Sequence, residues 1–408
     1  MSRLDGIRIA LASLIENPLR TFLTLLGIAM GVTAVIFVVS VIEGLNQYVA
    51  DTLSELGPDV FIIDKYGVIK NHTEWIRAQR RNRDLTVADA EAIRRHTTLI
   101  ARVGMSKDRG GSVKYGSNAA SGVSIHGLSF ESQEIEPIEI ERGRGFTAAE
   151  ADHAVRVCVL GWEIADKLFG RVDPLDREVT VWERRFRVIG VAAKRGSIFG
   201  VSQDNFTIIP LATFHKIRGA RDSVRISARA RDPERVDEAI DEARALMRAR
   251  RHLRYDEDDD FGLITSAGLM DFWRDMTQMI FRVAIFVVSI SLVVGGIVIM
   301  NIMLLTVVER TREIGVRKAV GARQRDIRFQ FLVESVMLCA AGGVIGVALA
   351  WAGSWAVRFY TALPARFPFW APLLAVAISS AVGIFFGLHP ARKAAGLDPI
   401  EALRSEET

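Results

Sequence analysis

Cysteine is nearly absent: two occur in 408 residues, Cys158 and Cys339, too few for a disulfide framework. Cys158 lies in a hydrophilic region and Cys339 inside an apolar run, so the two are not expected to pair. No GxxxxGK followed by Ser or Thr occurs, which excludes ATP binding through a phosphate-cradling loop in this chain. HExxH, GxSxG and CxxC are also missing, leaving metal hydrolysis, serine esterase and thiol redox chemistry without a motif. The seven histidines (72, 96, 126, 153, 215, 252 and 389) are scattered and form no ligand pattern. The acidic run 256–260 lacks the glycine and spaced oxygens of a calcium loop and reads as a solvated charge run. No catalytic, cofactor or metal residues are assigned. A net charge of +4 is too small to call for nucleic acid as a partner.

Charge is missing altogether from four stretches, 21–42, 283–308, 335–357 and 367–388. As helices, each is long enough for a hydrocarbon core of about 30 Å, which takes about 20 residues. The expected fold is an integral membrane α-helical protein with four transmembrane helices. A large α+β extracytoplasmic domain is inserted between helices 1 and 2 on a helical stalk. Between Glu309 and Gln330 lie Arg310, Arg312, Arg317, Lys318, Arg323, Arg325 and Arg328 against three acids. So basic a loop between two spans belongs in the cytoplasm. The expected segments are a cytoplasmic amphipathic helix within 1–20 on the membrane face, helix 1 at 21–44, and stalk and outer domain at 45–279. Helix 2 at 280–308, a cytoplasmic loop at 309–331, helix 3 at 332–357, an outer loop at 358–366, helix 4 at 367–389 and a tail at 390–408 follow. Both termini are then cytoplasmic. The first span runs into Glu43-Gly44 rather than a cleavage site, as a signal anchor does.

The apolar face of helix 1 continues through Leu45, Tyr48, Val49, Leu53 and Leu56 to Gly57-Pro58. Leu269, Phe272, Trp273, Met276 and Ile280 share a face before helix 2. Both spans should therefore leave the membrane as a stalk. Inside the insert, 59–64, 156–160, 207–211 and 224–230 read as strands, and 178–182 with 185–191 as a hairpin. Helix starts are expected at Thr86 and at the capping box Thr147–Glu150. An amphipathic helix is expected over 235–250. The Gly- and Ser-rich stretch 104–127 is assigned to one of two subdomains.

Three glycine pairs at four-residue spacing, Gly27/Gly31, Gly342/Gly346 and Gly383/Gly387, allow close helix packing within one subunit or between two. Asn301, an amide deep in helix 2, is expected to hydrogen-bond another helix. In the basic loop, Glu313 and Arg317 stand at i,i+4 in the favourable order. Gly315 and Gly321 permit bends that would lay a short helix along the membrane.

Residues 289–346, SISLVVGGIVIMNIMLLTVVERTREIGVRKAVGA leading to QFLVES and GGVIG, resemble the permeases of the MacB/FtsX-like ABC transporter family. VGIFFGLHPARKAAGLDPIEALR (382–404) and RTFLTLLGIAMGV (20–32) extend the resemblance, and VCVLGWEIADKLFG and FRVIGVAA match the insert more loosely. Val298 stands where members often carry glycine. The resemblance implies a multi-pass permease of the bacterial inner membrane that works with an ABC ATPase, two copies of which bind ATP and magnesium. This chain starts only 20 residues before its first span, so the ATPase is expected as a separate subunit. The resemblance makes Glu309, Arg310, Arg312, Glu313, Gly315, Arg317, Lys318 and Gly321 the ATPase-coupling residues. It also implies a second permease copy or sister permease, and extends to a periplasmic adaptor and outer-membrane channel. The implied function is export or extraction of substrates by mechanical transmission, with no pore through the membrane. The alternative is an FtsX-like signalling subunit that controls an external cell-wall hydrolase.

Overall fold

The structure is a computed structural model describing residues 18–55, 57–69, 71–198, 201–360 and 366–404. The amphipathic helix expected within 1–20 lies mostly outside the described residues. Contacts divide the chain into two compact units, Tyr48–Asp275 and the remainder.

Helix α1 spans Pro18–Glu55 without a break. After Gly57, whose φ of +79° needs a residue without a Cβ, strand β1 (Val60–Asp64) begins. Then come α2 (His72–Arg81), α3 (Val87–His96), β2 (Ile100–Tyr115), β3 (Asn118–Leu128), α4 (Phe130–Ile135) and β4 (Ile140–Gly143). Next are α5 (Ala148–Asp152), β5 (Val157–Leu160), α6 (Trp162–Phe169), β6 (Glu178–Val181) and β7 (Arg184–Ala192). Two short strands, β8 (Ser197–Ile198) and β9 (Val201–Ser202), precede β10 (Phe206–Pro210), α7 (Leu211–Arg218), β11 (Arg225–Ala230), α8 (Val236–Arg250) and β12 (Gly262–Thr265). The capping boxes at Thr86 and Thr147 are both formed.

Ten strands make one sheet in the order β12-β1-β11-β2-β3-β10-β5-β7-β4, with β6 bridging β2 and β7. The alternation in β5 explains its place near the middle. Cys158 and Leu160 enter one apolar cluster with Ile125, Ile164, Phe186 and Phe214, while Val157 and Val159 enter another with Phe146 and Ile208. At the other end, α8 lays Ala239, Ile240, Ala243 and Met247 against Phe61, Ile93 and Ile226. The expected pair of subdomains is thus one continuous sheet with separate apolar clusters. The long strand β2 joins them, pairing with β11 over its first residues and β3 over the rest. The glycine-rich stretch 104–127 is that β2–β3 hairpin.

The acidic run is not simply solvated. Asp258 pairs with Arg81 at 2.7 Å, Asp259 with Arg248 at 2.6 Å, and buried Asp260 with buried Arg251 at 3.0 Å. Arg251 also reaches Asp89 of α3, which accepts from Arg250 at 2.7 Å. Burial opposes ionisation of Asp89, but the hydrogen bonds from Arg250 and Thr86 outweigh it and hold its carboxyl below the usual range.

Helix α9 (Ser266–Glu309) follows β12 directly, and Thr265 Oγ1 caps it by accepting from the Gly268 N–H at 2.9 Å. At 44 residues it is roughly 66 Å long, about twice a hydrocarbon core. Because β1 and β12 pair antiparallel, Phe61 opposite Thr265, the strands that adjoin the first two long helices lie side by side. Then follow α10 (Thr311–Ala319), α11 (Gln324–Tyr360), α12 (Ala371–Gly396) and α13 (Pro399–Arg404). α1, α9, α11 and α12 are long and apolar enough to cross a membrane.

Candidate coupling site

α9 ends where Arg310 departs from helical geometry (φ −101°, ψ 16°), and α10 starts one residue later. Ile314 and Gly315 are buried on its inner face. Its outer face exposes Arg312, Glu313, Val316 and Ala319, and Val320 just beyond is 84% exposed. The turn into α11 is made at Gly321, with φ +105°. There the N–H groups of Gly321 and Ala322 donate back to Lys318 and Arg317, each at 3.0 Å. Gly315 does not bend the chain as expected from the sequence. It lies inside the helical turn, where its lack of a side chain suits a buried position.

Three cations tie α10 and its approach to the bundle. Arg310 is 3.7 Å from the carboxylate of Glu334, a buried residue of α11. Arg317 pairs with Glu313 and also donates to Gln330 Oε1 at 2.9 Å. Lys318 Nζ donates to the carbonyls of Ala395, at 2.7 Å, and Leu397. Those carbonyls end α12, where a cation meets the negative pole of the helix. Glu309 and Arg312 are exposed. Gln330, Glu334 and the Ala395 and Leu397 carbonyls were not singled out in the sequence. For Glu334 a signal was present, since an acid bordering an uncharged span needs a partner; nothing in a sequence marks a backbone carbonyl.

All three glycine pairs lie at helix crossings inside this chain. A Cβ on Gly27 would sit 3.6 Å from Gly295 Cα, and one on Gly31 3.4 Å from Leu292, so α1 runs close against α9. On its other side, Gly342 and Gly346 of α11 face α1; a Cβ on Gly346 would meet the Ala29 carbonyl and Val32 at 2.8 Å. Thr33 Oγ1 donates to the Gly346 carbonyl at the same crossing, at 3.1 Å. Gly383 and Gly387 of α12 face Cys339 and Ser335 of α11.

Asn301 departs from expectation. It is exposed and, among the described residues, has no hydrogen-bond partner. It shares the outer face of α9 with Val294, Val298, Leu305 and Val308, whereas Gly295, Ile299, Met303 and Val307 turn inward. At 3.6 residues per turn, position 301 cannot join the inner set.

A family model described as MacB-like periplasmic core domain matches residues 21–246, and one described as FtsX-like permease C-terminal matches 285–399. The macrolide export ATP-binding/permease protein MacB of Chlorobaculum tepidum is 34% identical over 428 residues, covering 99% of this chain and 62% of its own. That of Neisseria meningitidis serogroup A is 31% identical over 404 residues, covering 98% and 61%. The chain spans about six tenths of the length of these relatives. Among solved structures, the periplasmic region of MacB from Actinobacillus actinomycetemcomitans aligns at a TM-score of 0.45 and 20% identity, over 55% of this chain and 96% of that one. The extracellular domain of the noncanonic ABC-type transporter YknZ aligns at 0.41 and 16%, over 50% and 98%. Matched over its first membrane helix and most of its insert, and again over its last three membrane helices, this chain belongs to the MacB/FtsX-like family of ABC transporter permeases.

Proposed function

We propose that this chain couples an ATP-hydrolysing partner in the cytoplasm to work by its own extracytoplasmic domain, in export or extraction of substrates at the bacterial inner membrane. One observation carries the reading: α10 is fastened to α11 and α12 on its inner side while, among the described residues, its outer side is exposed. A partner bearing on Arg312, Glu313, Val316 and Val320 would therefore push the bundle as a body. α9 ends at that point and extends unbroken back to Ser266, which follows β12. A hydrogen-bonded helix is stiff along its axis, so displacement at Glu309 is passed along it. The match of the insert to the MacB-like core domain supports the export reading, and control of an external hydrolase is the alternative. ATP and magnesium belong to the partner in this reading, and two ATPases with two permease copies make the working unit. Exposed Asn301 supports a second copy, because an amide facing hydrocarbon is costly and a neighbouring protein surface would satisfy it.

The test is Glu313→Lys with Val316→Asp, both at exposed positions, in the chain co-expressed with its ATPase. Membrane insertion should persist, while ATPase co-purification falls and hydrolysis no longer drives transport. Normal assembly and transport would refute the contact.

A further inference from the structure

We propose that a cationic cleft on the extracytoplasmic domain binds an acidic polypeptide segment. The cleft, about 740 Å³, lies between the outer part of β2, the β6–β7 turn and the end of α7. Lys114, Arg184 and Arg218 line it together with Trp182, Ile217 and a single acid, Glu183. The three cations are exposed and, among the described residues, have no ion-pair partner. That sets them apart from Arg81, Arg144, Arg248 and Arg251 of the same domain, each of which has its own carboxylate.

The indole at the centre is built in. Trp182 and Glu183 form the two-residue β6–β7 turn with φ of +45° and +66°, conformations that hairpins normally give to Asn-Gly. A tryptophan held there is strained, and such strain gathers at functional positions. Phe214 packs edge-on to the ring at 5.1 Å, the Arg218 guanidinium lies 4.8 Å from its centre, and its N–H donates to the Gly110 carbonyl at 3.4 Å. Gly111 makes the room, since a Cβ there would strike the indole and Ile125.

The chemistry selects the ligand. Exposed, hydrated cations hold a lone carboxylate weakly. Several carboxylates on one chain gain together, because binding the first raises the effective concentration of the rest. Trp182 and Ile217 then offer apolar contact that a small polyanion cannot use.

The experiment uses the full chain in phosphatidylcholine nanodiscs and a fluorescein-labelled peptide of repeated Glu-Glu-Leu, read by polarisation at fixed ionic strength. Saturable binding is expected, weakened roughly tenfold by Lys114→Ser with Arg218→Ser and strengthened about twofold by Glu183→Gln. Gly111→Ala should weaken it while circular dichroism stays unchanged. Arg77→Ser with Arg80→Ser, on exposed positions of α2, should leave it alone. Absence of saturable binding, an equal loss in the Arg77/Arg80 pair, or citrate competing as tightly as the peptide would each overturn the assignment. None of these readouts depends on the ATPase or on transport.

Discussion

Single residues hold the two ends of the proposed machine. Lys318 closes the end of α12 from α10 through two carbonyls. Methionine keeps the length of that side chain but donates nothing. Lys318→Met should leave the chain inserted, loosen α10 and uncouple ATP hydrolysis from transport. Hydrogen bonds from a charged donor contribute about 1.5–3 kcal/mol, so a lower unfolding temperature in detergent should accompany the loss. Full coupling in this variant would remove Lys318 from the site. In the outer domain, the bond from Arg144, against a smaller cost of burial, holds the Glu150 carboxyl down at about 2, with Thr147 helping. A carboxyl depressed in the fold stabilises above its ordinary range, near 4.5, and stops doing so as the pH falls through about 2. Glu150→Gln keeps an acceptor for the Thr147 N–H but gives up the charged pair with Arg144, and should therefore cost about 1 kcal/mol at pH 7. The gap to the unsubstituted chain should close between about 4.5 and about 2 in melting curves; a gap that widened on acidification would contradict the assignment.

Elements matter through their continuity and their closeness. α9 is one helix from Ser266 to Glu309, and Gln278 is an exposed interior position. Gln278→Pro removes one backbone hydrogen bond and clashes with the preceding turn, at about 3 kcal/mol, without disturbing a buried side chain. ATP hydrolysis should survive and the outward task should stop; retained transport in a membrane-inserted variant would count against mechanical transmission. The α1–α11 crossing depends on Gly346, where an added side chain meets backbone at 2.8 Å and a β-branched neighbour. Gly346→Val should part the two helices and destabilise the bundle by several kcal/mol, as overpacking does. Proteolysis in detergent would show it, and an unaltered cleavage pattern would mean that the crossing can shift at little cost.

For the whole molecule, the prediction is orientation. Tyr255 is 99% exposed in the outer domain and Val320 84% exposed beside α10. Both native cysteines are buried, and burial pushes the Cys158 thiol well above its ordinary range, so neither should compete for a reagent. In spheroplasts, an impermeant maleimide should label Tyr255→Cys and should reach Val320→Cys only after permeabilisation. The reverse pattern would invert the topology. Exposed Trp351, Trp355, Phe359, Phe369 and Trp370 gather at the α11–α12 end away from Val320. That is the aromatic composition of a membrane interface.

What could be read from the sequence was whatever depends on neighbours along the chain. Four spans are visible because hydrocarbon tolerates no charge over about 20 residues. The helix start at Thr86, the capping box at Thr147 and the amphipathic α8 follow from local spacing, and the β6–β7 hairpin is legible to within about a residue at its ends. The β2–β3 hairpin was not legible as strands, because its glycines lower β-propensity and are there to admit Ser132, Trp182 and Phe214 from elsewhere in the fold. Asn301 could be assigned to a span but not to a face, since only the packing of the other helices decides which side of α9 is inside. Likewise the basic loop was legible by its charge as a segment between two spans. Which cations are spent on Gln330, Glu334 and the end of α12, and which face is left for a partner, was decided by tertiary structure, because those contacts join residues 13 to 79 positions apart in the chain.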